Sequence, residues 1–278
     1  MMKNVILNNK MYRYTIHENK STDQVAIFLL GALQDIESVT HFSRAFSETL
    51  TCITVEVPGT GYADPLAPTT TIRDQSQMLI DFIEHMDIDA AHIIGFSYAT
   101  AISVELCSLW SGVKSLSICG GVPGIPSSGI HATKKMIAST MQGKSEFAAT
   151  FIESLTVDNS DIPRSRVIKK AMQKSISRLA DERIQMFFDN SVRLLVHKPT
   201  NLDAIQVPAL VCAAEFDPYV TTQVAKSFSD NLRNSSYIEI KNADHLVHLQ
   251  HPDVVAEALI ALASSSVNVE QRLQTLTS

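Results

Sequence analysis

A chain of 278 residues, 45% hydrophobic and 19% charged, has the material for one sizeable buried core and is too apolar to remain disordered. A formal net charge of -6 with histidine neutral, and no Lys/Arg-rich run, exclude nucleic acid as a main partner. The cysteines Cys52, Cys107, Cys119 and Cys212 form no C-x-x-C pair, which argues against a zinc ribbon or a disulfide framework and for free thiols in a reducing cytoplasm. Residues 1–10 carry no apolar stretch long enough for a secretory signal, and no run approaches the ~18 residues of a membrane span.

Residues 5–7 and 12–17 read as an antiparallel hairpin around the polar turn Asn8-Asn9-Lys10. Residues 25–30 are apolar without alternation, as expected of a parallel strand covered by helices on both faces. A helix over 38–50, with Ser38 as its cap, leads to a strand over 52–57 that Pro58-Gly59-Thr60-Gly61 closes. The spacing of Ile72, Leu79, Phe82, Ile83 and Met86 predicts a helix over 71–86. The next strand stops at Gly95. Ser97 comes two residues later, then a helix over 98–109, then a strand over 113–119 ended by Gly120-Gly121. Repeated strand–helix alternation predicts a right-handed, mainly parallel α/β sheet.

Residues 125–202 break that rhythm. Helical periodicity appears over 131–141, 146–155, 166–179 and 182–196, with no strand. Strand signals resume at 209–214 and 237–240, separated by a helix over 220–232. The reading is one core, residues 1–124 and 203–278, with a helical cap of residues 125–202 inserted between two of its strands. A last amphipathic helix spans 252–263, with Pro252 in its first turn, and a polar tail begins at Ser264.

The segment Gly95-Phe96-Ser97-Tyr98-Ala99 is a strand, a sharp turn and a helix, with a hydroxyl at the apex and small residues at Gly95 and Ala99 where the helix must pack close. A serine hydroxyl needs a base, and the base needs a group to hold its tautomer and its charge. Both types come after later strands: Asp217 after 209–214 and His245 after 237–240, at the strand ends where open α/β sheets place their sites. His245, His248 and His251 share one segment, but no His-Glu-x-x-His pattern or Cys/His cluster accompanies them, so no metal is expected. No cofactor is expected either.

With these residues in place the chain resembles the α/β-hydrolase superfamily over most of its length. Gly95 to Ala99 is similar to its nucleophile elbow, with alanine for the usual second glycine. Glu56-Val57-Pro58-Gly59-Thr60-Gly61 is similar to the Asp-x-x-Gly-x-Gly turn, with Glu for Asp, and Glu56 is expected to hold that turn. Glu215-Phe216-Asp217 resembles the loop of the triad acid. Ala243-Asp244-His245 resembles the Gly-His segment, with Asp244 in the glycine position, and Leu30-Gly31-Ala32 falls where the family has His-Gly-x. The resemblance implies an α/β-hydrolase fold, a catalytic Ser97, His245 and Asp217, and an oxyanion hole from the backbone N–H groups of Ala32 and Tyr98.

The chemistry shared by such residues is acyl transfer from a small ester or thioester. With water as acceptor the protein is a serine esterase or thioesterase. A narrower resemblance of residues 28–32 and 215–222 to the 3-hydroxyacyl acyltransferases of rhamnolipid and polyhydroxyalkanoate synthesis keeps an alternative open. Under it, acyl groups come from an acyl carrier protein or CoA. Lys134, Lys135, Lys169, Lys170 and Lys174 then either receive the acidic carrier or form a solvated helix surface. A non-catalytic member that only binds a ligand in the same pocket is the third reading. Apolar side chains of the insertion, among them Met136, Phe151, Met172 and Phe187, fill the space between cap and sheet or line an acyl pocket.

Overall fold

The computed structural model describes residues 1–263, so the polar tail expected from Ser264 onward lies outside the described residues. The chain opens with strands β1 (Lys3–Leu7) and β2 (Lys10–His17), paired antiparallel. Their turn is shorter than the sequence suggested. Lys10 already pairs with Leu7, and Asn8 and Asn9 alone make the loop, both at positive φ. Asparagine tolerates that left-handed backbone better than most residues, and it suits a tight hairpin.

Next come β3 (Val25–Leu29), helix α1 (Thr40–Ser47), β4 (Thr51–Glu56), α2 (Ile72–His85), β5 (Ala91–Phe96), α3 (Ala99–Leu109) and β6 (Val113–Cys119). Helices α4 (Ile130–Thr140), α5 (Lys144–Leu155), α6 (Ser165–Ile176) and α7 (Asp181–Val196) intervene before β7 (Ala209–Ala214). Then α8 (Thr222–Asp230), β8 (Ser235–Ile240), the short α9 (Val247–Gln250) and α10 (Pro252–Ile260) complete the described chain. The strands form one 8-stranded sheet in the order β1-β2-β4-β3-β5-β6-β7-β8, parallel from β4 to β8 and antiparallel at β1 and β2.

Side chains alternate between two buried faces, which is why β3 and β7 read as unbroken apolar runs. Ile27, Ile53 and Ile93 pack under Leu79, Phe82, Val104 and Phe228 of α2, α3 and α8. Ala26, Phe28 and Ile94 pack under Phe42 and Phe46 of α1 and Leu259 of α10. There Phe28 meets Phe46 and Phe96 edge-on at 5.3 and 5.1 Å between centroids, a favoured aromatic geometry. The insert has an apolar cluster of its own, with Phe147, Phe151 and Phe187 at its centre.

Two starts of helices contrast. Thr71 caps α2 through a capping box with Asp74, as its position before an apolar-periodic run implies. Ser38 does not cap α1, which begins after Val39 with no side-chain cap. Its hydroxyl donates to the carbonyl of Asp35, and its amide donates to Asp35 Oδ1 at 2.8 Å, so a tight local turn claims the group first.

Candidate active site

Ser97 lies directly after β5 with φ of +44°, in the left-handed region that costs a non-glycine residue ~1–2 kcal/mol. The turn is fixed from both sides. The Ser97 amide donates to the Cys119 carbonyl at 3.0 Å, and the Thr100 amide donates to the Ser97 carbonyl at 3.0 Å. Gly95 lets α3 come close, since a Cβ there would stand 2.8 Å from Ser103 Oγ.

Two later loops reach the same place. The amides of Glu215 and Phe216 donate to the carbonyls of Ile240 and Ala243, tying the end of β7 to the end of β8. Asp217 and His245 are thereby set side by side. His245 Nε2 lies 3.2 Å from Ser97 Oγ, and His245 Nδ1 lies 2.7 Å from Asp217 Oδ2. The other Asp217 oxygen accepts from the amides of Tyr219 and Val220 at 2.8 and 2.9 Å. Burial pulls the His245 imidazole down, but the charge and hydrogen bond of Asp217, with Asp244 behind them, outweigh it and hold the group above its ordinary value. The structure therefore brings together the three side chains singled out from the sequence.

The other histidines of the segment have separate places. His248 lies against the ring of Phe96, and burial, reinforced by His245 and His41, drops it to about 3, so it is neutral. His251 stands at the start of α10 and bonds through Nε2 to the Asn242 carbonyl at 3.0 Å. Among the described residues no group of three or more His, Cys, Asp or Glu is placed to hold a metal ion.

Ala32 and Tyr98 both line the cavity beside Ser97, and among the described residues neither backbone amide has a hydrogen-bond partner. The loop bearing Ala32 is held by Gln34 and Arg183. Gln34 Oε1 accepts from the Gly31 amide at 2.7 Å, and the Gln34 amide donates to the Gly31 carbonyl at 3.1 Å. Arg183 of α7 then donates to the carbonyls of Leu33 and Gln34, both at 3.1 Å, with its guanidinium over the Tyr62 ring at 4.8 Å. Glu56, fully buried, accepts from the amides of Ile36 and Tyr62 and from Arg13, which fixes the turn after β4. A Cβ on Gly61, at φ +54°, would fall 1.9 Å from the Glu56 carboxyl carbon.

Sequence reasoning missed the polar ties between insert and core. The Tyr98 hydroxyl lies 2.5 Å from Gln75 Oε1 and 3.0 Å from Asn190 Oδ1, and Asn190 Nδ2 donates to the Gly59 carbonyl at 2.8 Å. Arg193 donates to Asn190 and to the carbonyls of Thr70 and Ala67. Asp244, in the glycine position before His245, accepts from the Leu246 amide, from Gln250 and from the Val157 amide of the insert. Burial pushes its carboxyl up in spite of those donors. A usable signal did exist in α7. Arg183 and Asn190 recur at helical spacing with Phe187 and Leu194, so polar residues stand on its apolar face.

A cavity of about 220 Å³ opens beside Ser97 and His245. Its far wall comes from the insert and is mainly apolar, with Met136, Phe151, Leu155, Met172 and Phe187 beside the neutral polar Thr133, Ser175, Asn190 and Ser191. Of the lysines considered for a carrier, Lys135 pairs with Glu153, and Lys169 donates to the Val157 carbonyl. No described helix is long and apolar enough to cross a membrane.

A family model described as "Alpha/beta hydrolase family" matches residues 29–258. Two curated relatives from Acinetobacter baylyi are each 24% identical. One is an (E)-2-((N-methylformamido)methylene)succinate hydrolase, over 78% of this chain and 81% of its own length; the other is 3-oxoadipate enol-lactonase 1, over 72% and 74%. Among solved structures, the α/β-hydrolase enzyme MGS-M2 from a Medee basin deep-sea metagenome library superposes with a TM-score of 0.83 at 16% identity, covering 96% of this chain and 99% of that one. These likenesses carry the family and the fold. The narrower acyltransferase resemblance gains no support from them.

Proposed function

The chain belongs to the α/β-hydrolase family, and on that premise we propose that it hydrolyses carboxylic esters or thioesters through Ser97, His245 and Asp217. The observation that carries this reading is the hydrogen-bonded line from Ser97 Oγ to His245 at 3.2 Å and on to Asp217 at 2.7 Å, opening on a cavity. Ser97 Oγ attacks the acyl carbon while His245 Nε2 takes its proton. Asp217 keeps the proton on Nδ1 and stabilises the imidazolium that forms. The amides of Ala32 and Tyr98 donate to the oxyanion, whose charge develops only in the transition state. His245 returns the proton to the leaving group, and the acyl-enzyme is then opened by water that His245 deprotonates.

On this reading residues 125–202 are a cap over a core of residues 1–124 and 203–278. The cap selects what reaches Ser97. The succinate and oxoadipate in the relatives' names stay with those proteins. Free, mostly buried thiols agree with a cytoplasmic setting.

The test is mass spectrometry of products from p-nitrophenyl esters, acyl-CoAs and a 3-hydroxyacyl carrier protein, with Ser97→Ala as control. Free acids are expected, with turnover falling on the order of 10⁴-fold or more in the variant. Unchanged turnover in that variant would overturn the nucleophile. Acyl exchange onto a carrier in place of free acid would overturn water as the acceptor.

A further inference from the structure

The cavity wall bears on what kind of acyl group this hydrolase takes, a question that rests on the reading of Ser97 as nucleophile. From the insert it presents Phe151, Leu155, Met172, Ile176, Phe187 and Leu194. Among the described residues lining it there is no lysine or arginine, and its carboxylate is Asp35. Two arginines stand on the same helix as Phe187 and Leu194, yet both heads are tied elsewhere, with Arg183 Nε buried and unpartnered among the described residues. Arg183 is committed to the Leu33 and Gln34 carbonyls and the Tyr62 ring. Arg193 is committed to Asn190 and the carbonyls of Thr70 and Ala67. Both are buried, so neither swings into the cavity without abandoning those bonds.

The remaining imidazole on the wall outside the Ser97–His245–Asp217 line, His248, packs on Phe96 and offers no positive charge near neutral pH. A methylene chain entering this space meets mostly carbon, interrupted by the neutral polar side chains of Thr133, Ser175, Asn190 and Ser191. A carboxylate entering it gives up water, finds no cation and faces Asp35.

We propose that the site accepts uncharged, apolar acyl chains and rejects acyl chains that end in a carboxylate. The wall achieves this by withholding a cation, since both arginines of α7 are spent on holding the insert to the core.

A matched pair tests it: p-nitrophenyl hexanoate against the p-nitrophenyl half-ester of adipic acid, equal in carbon chain and differing in the end group. The expected ratio of kcat/KM is on the order of 10²-fold or more in favour of hexanoate, because the wrong end group is left unpaired. Met172→Lys, at a half-buried position on the wall, is expected to narrow that ratio by about tenfold by raising the rate on the half-ester. Binding of methyl hexanoate and monomethyl adipate to Ser97→Ala, by calorimetry, separates selection from chemistry. Preference for methyl hexanoate there without any wild-type turnover would sink the nucleophile and leave the selectivity standing. Equal turnover of both esters, tighter binding of the adipate, or binding of neither would overturn the inference and leave the nucleophile to its own test.

Discussion

The strand-end loops and the four-helix insert face each other across one cavity and are held by different means. Ser97 and Asp217 are fixed by short hydrogen bonds to backbone of β6 and of the loop after β7, through the Cys119 carbonyl and the Tyr219 and Val220 amides, and Asp217 in turn holds His245. The insert meets the cavity mainly with carbon and, among the described residues, with no charged group, and it is tied to the core through Arg183, Asn190, Arg193 and the Val157 amide. Polar fixation suits groups that must hold position while charge moves, and an apolar wall suits a selector that only has to match shape and exclude charge. On the proposed function, the bond to be broken is therefore the business of the loops, and the choice of substrate that of the insert.

The sharpest way to break that division is on the loop side. Asp217→Asn is expected to lower kcat on the order of 10⁴-fold. On the proposed mechanism, wild-type turnover requires neutral His245, whose value is raised above 6.5, so kcat/KM is expected to fall with acid through a midpoint above 6.5. The variant removes the main upward influence and keeps the burial that opposes it, so the midpoint of its residual activity moves down. The same pairing contributes stability that is complete below 6.5 and is lost as pH rises through the raised value. A pH profile of kcat/KM for both proteins, beside melting curves, checks both directions. An unmoved midpoint would mean that another group sets the acid limb.

A smaller effect belongs to Arg183, which reaches from the insert to the loop bearing Ala32. Arg183→Met is expected to lower kcat about tenfold with KM for the hexanoate ester nearly unchanged, less than the ~10²–10³ of losing an oxyanion donor outright. Steady-state kinetics decide it. A change confined to KM would make Arg183 part of the selector and not a brace for the Ala32 loop. The smallest effect lies far from both regions. Thr71→Ala removes the capping box of α2 and is expected to cost about 1 kcal/mol in a denaturant melt with activity intact.

Legibility in the sequence tracked the range of the interactions. Strands β3 and β7 and the elbow at Ser97 are written in contiguous residues, since two-sided burial demands unbroken apolar runs and a tight turn demands small neighbours. Asp217 and His245 could be found because strand ends are local features with a known chemical need. The roles of Gln34, Arg183, Asn190 and Arg193 had no such mark, since Arg183 meets Leu33 across 150 residues of chain. Ser38 misled for the opposite reason: a still more local turn with Asp35 took the hydroxyl that the helix would have used. The short α9 runs straight into α10, with no periodic stretch of its own to read.

The order of strands in the sheet has a consequence for synthesis. β7 and β8 form one edge of the sheet, and they come after the insert in the chain. A nascent chain that has completed β1 to β6 and the four helices already carries Ser97 and much of the cavity, yet Asp217 and His245 have still to be translated. On the proposed assignment such a chain holds a nucleophile with no base. Reactivity then arrives last, when the edge pair docks, so an incomplete or truncated product is inert by construction.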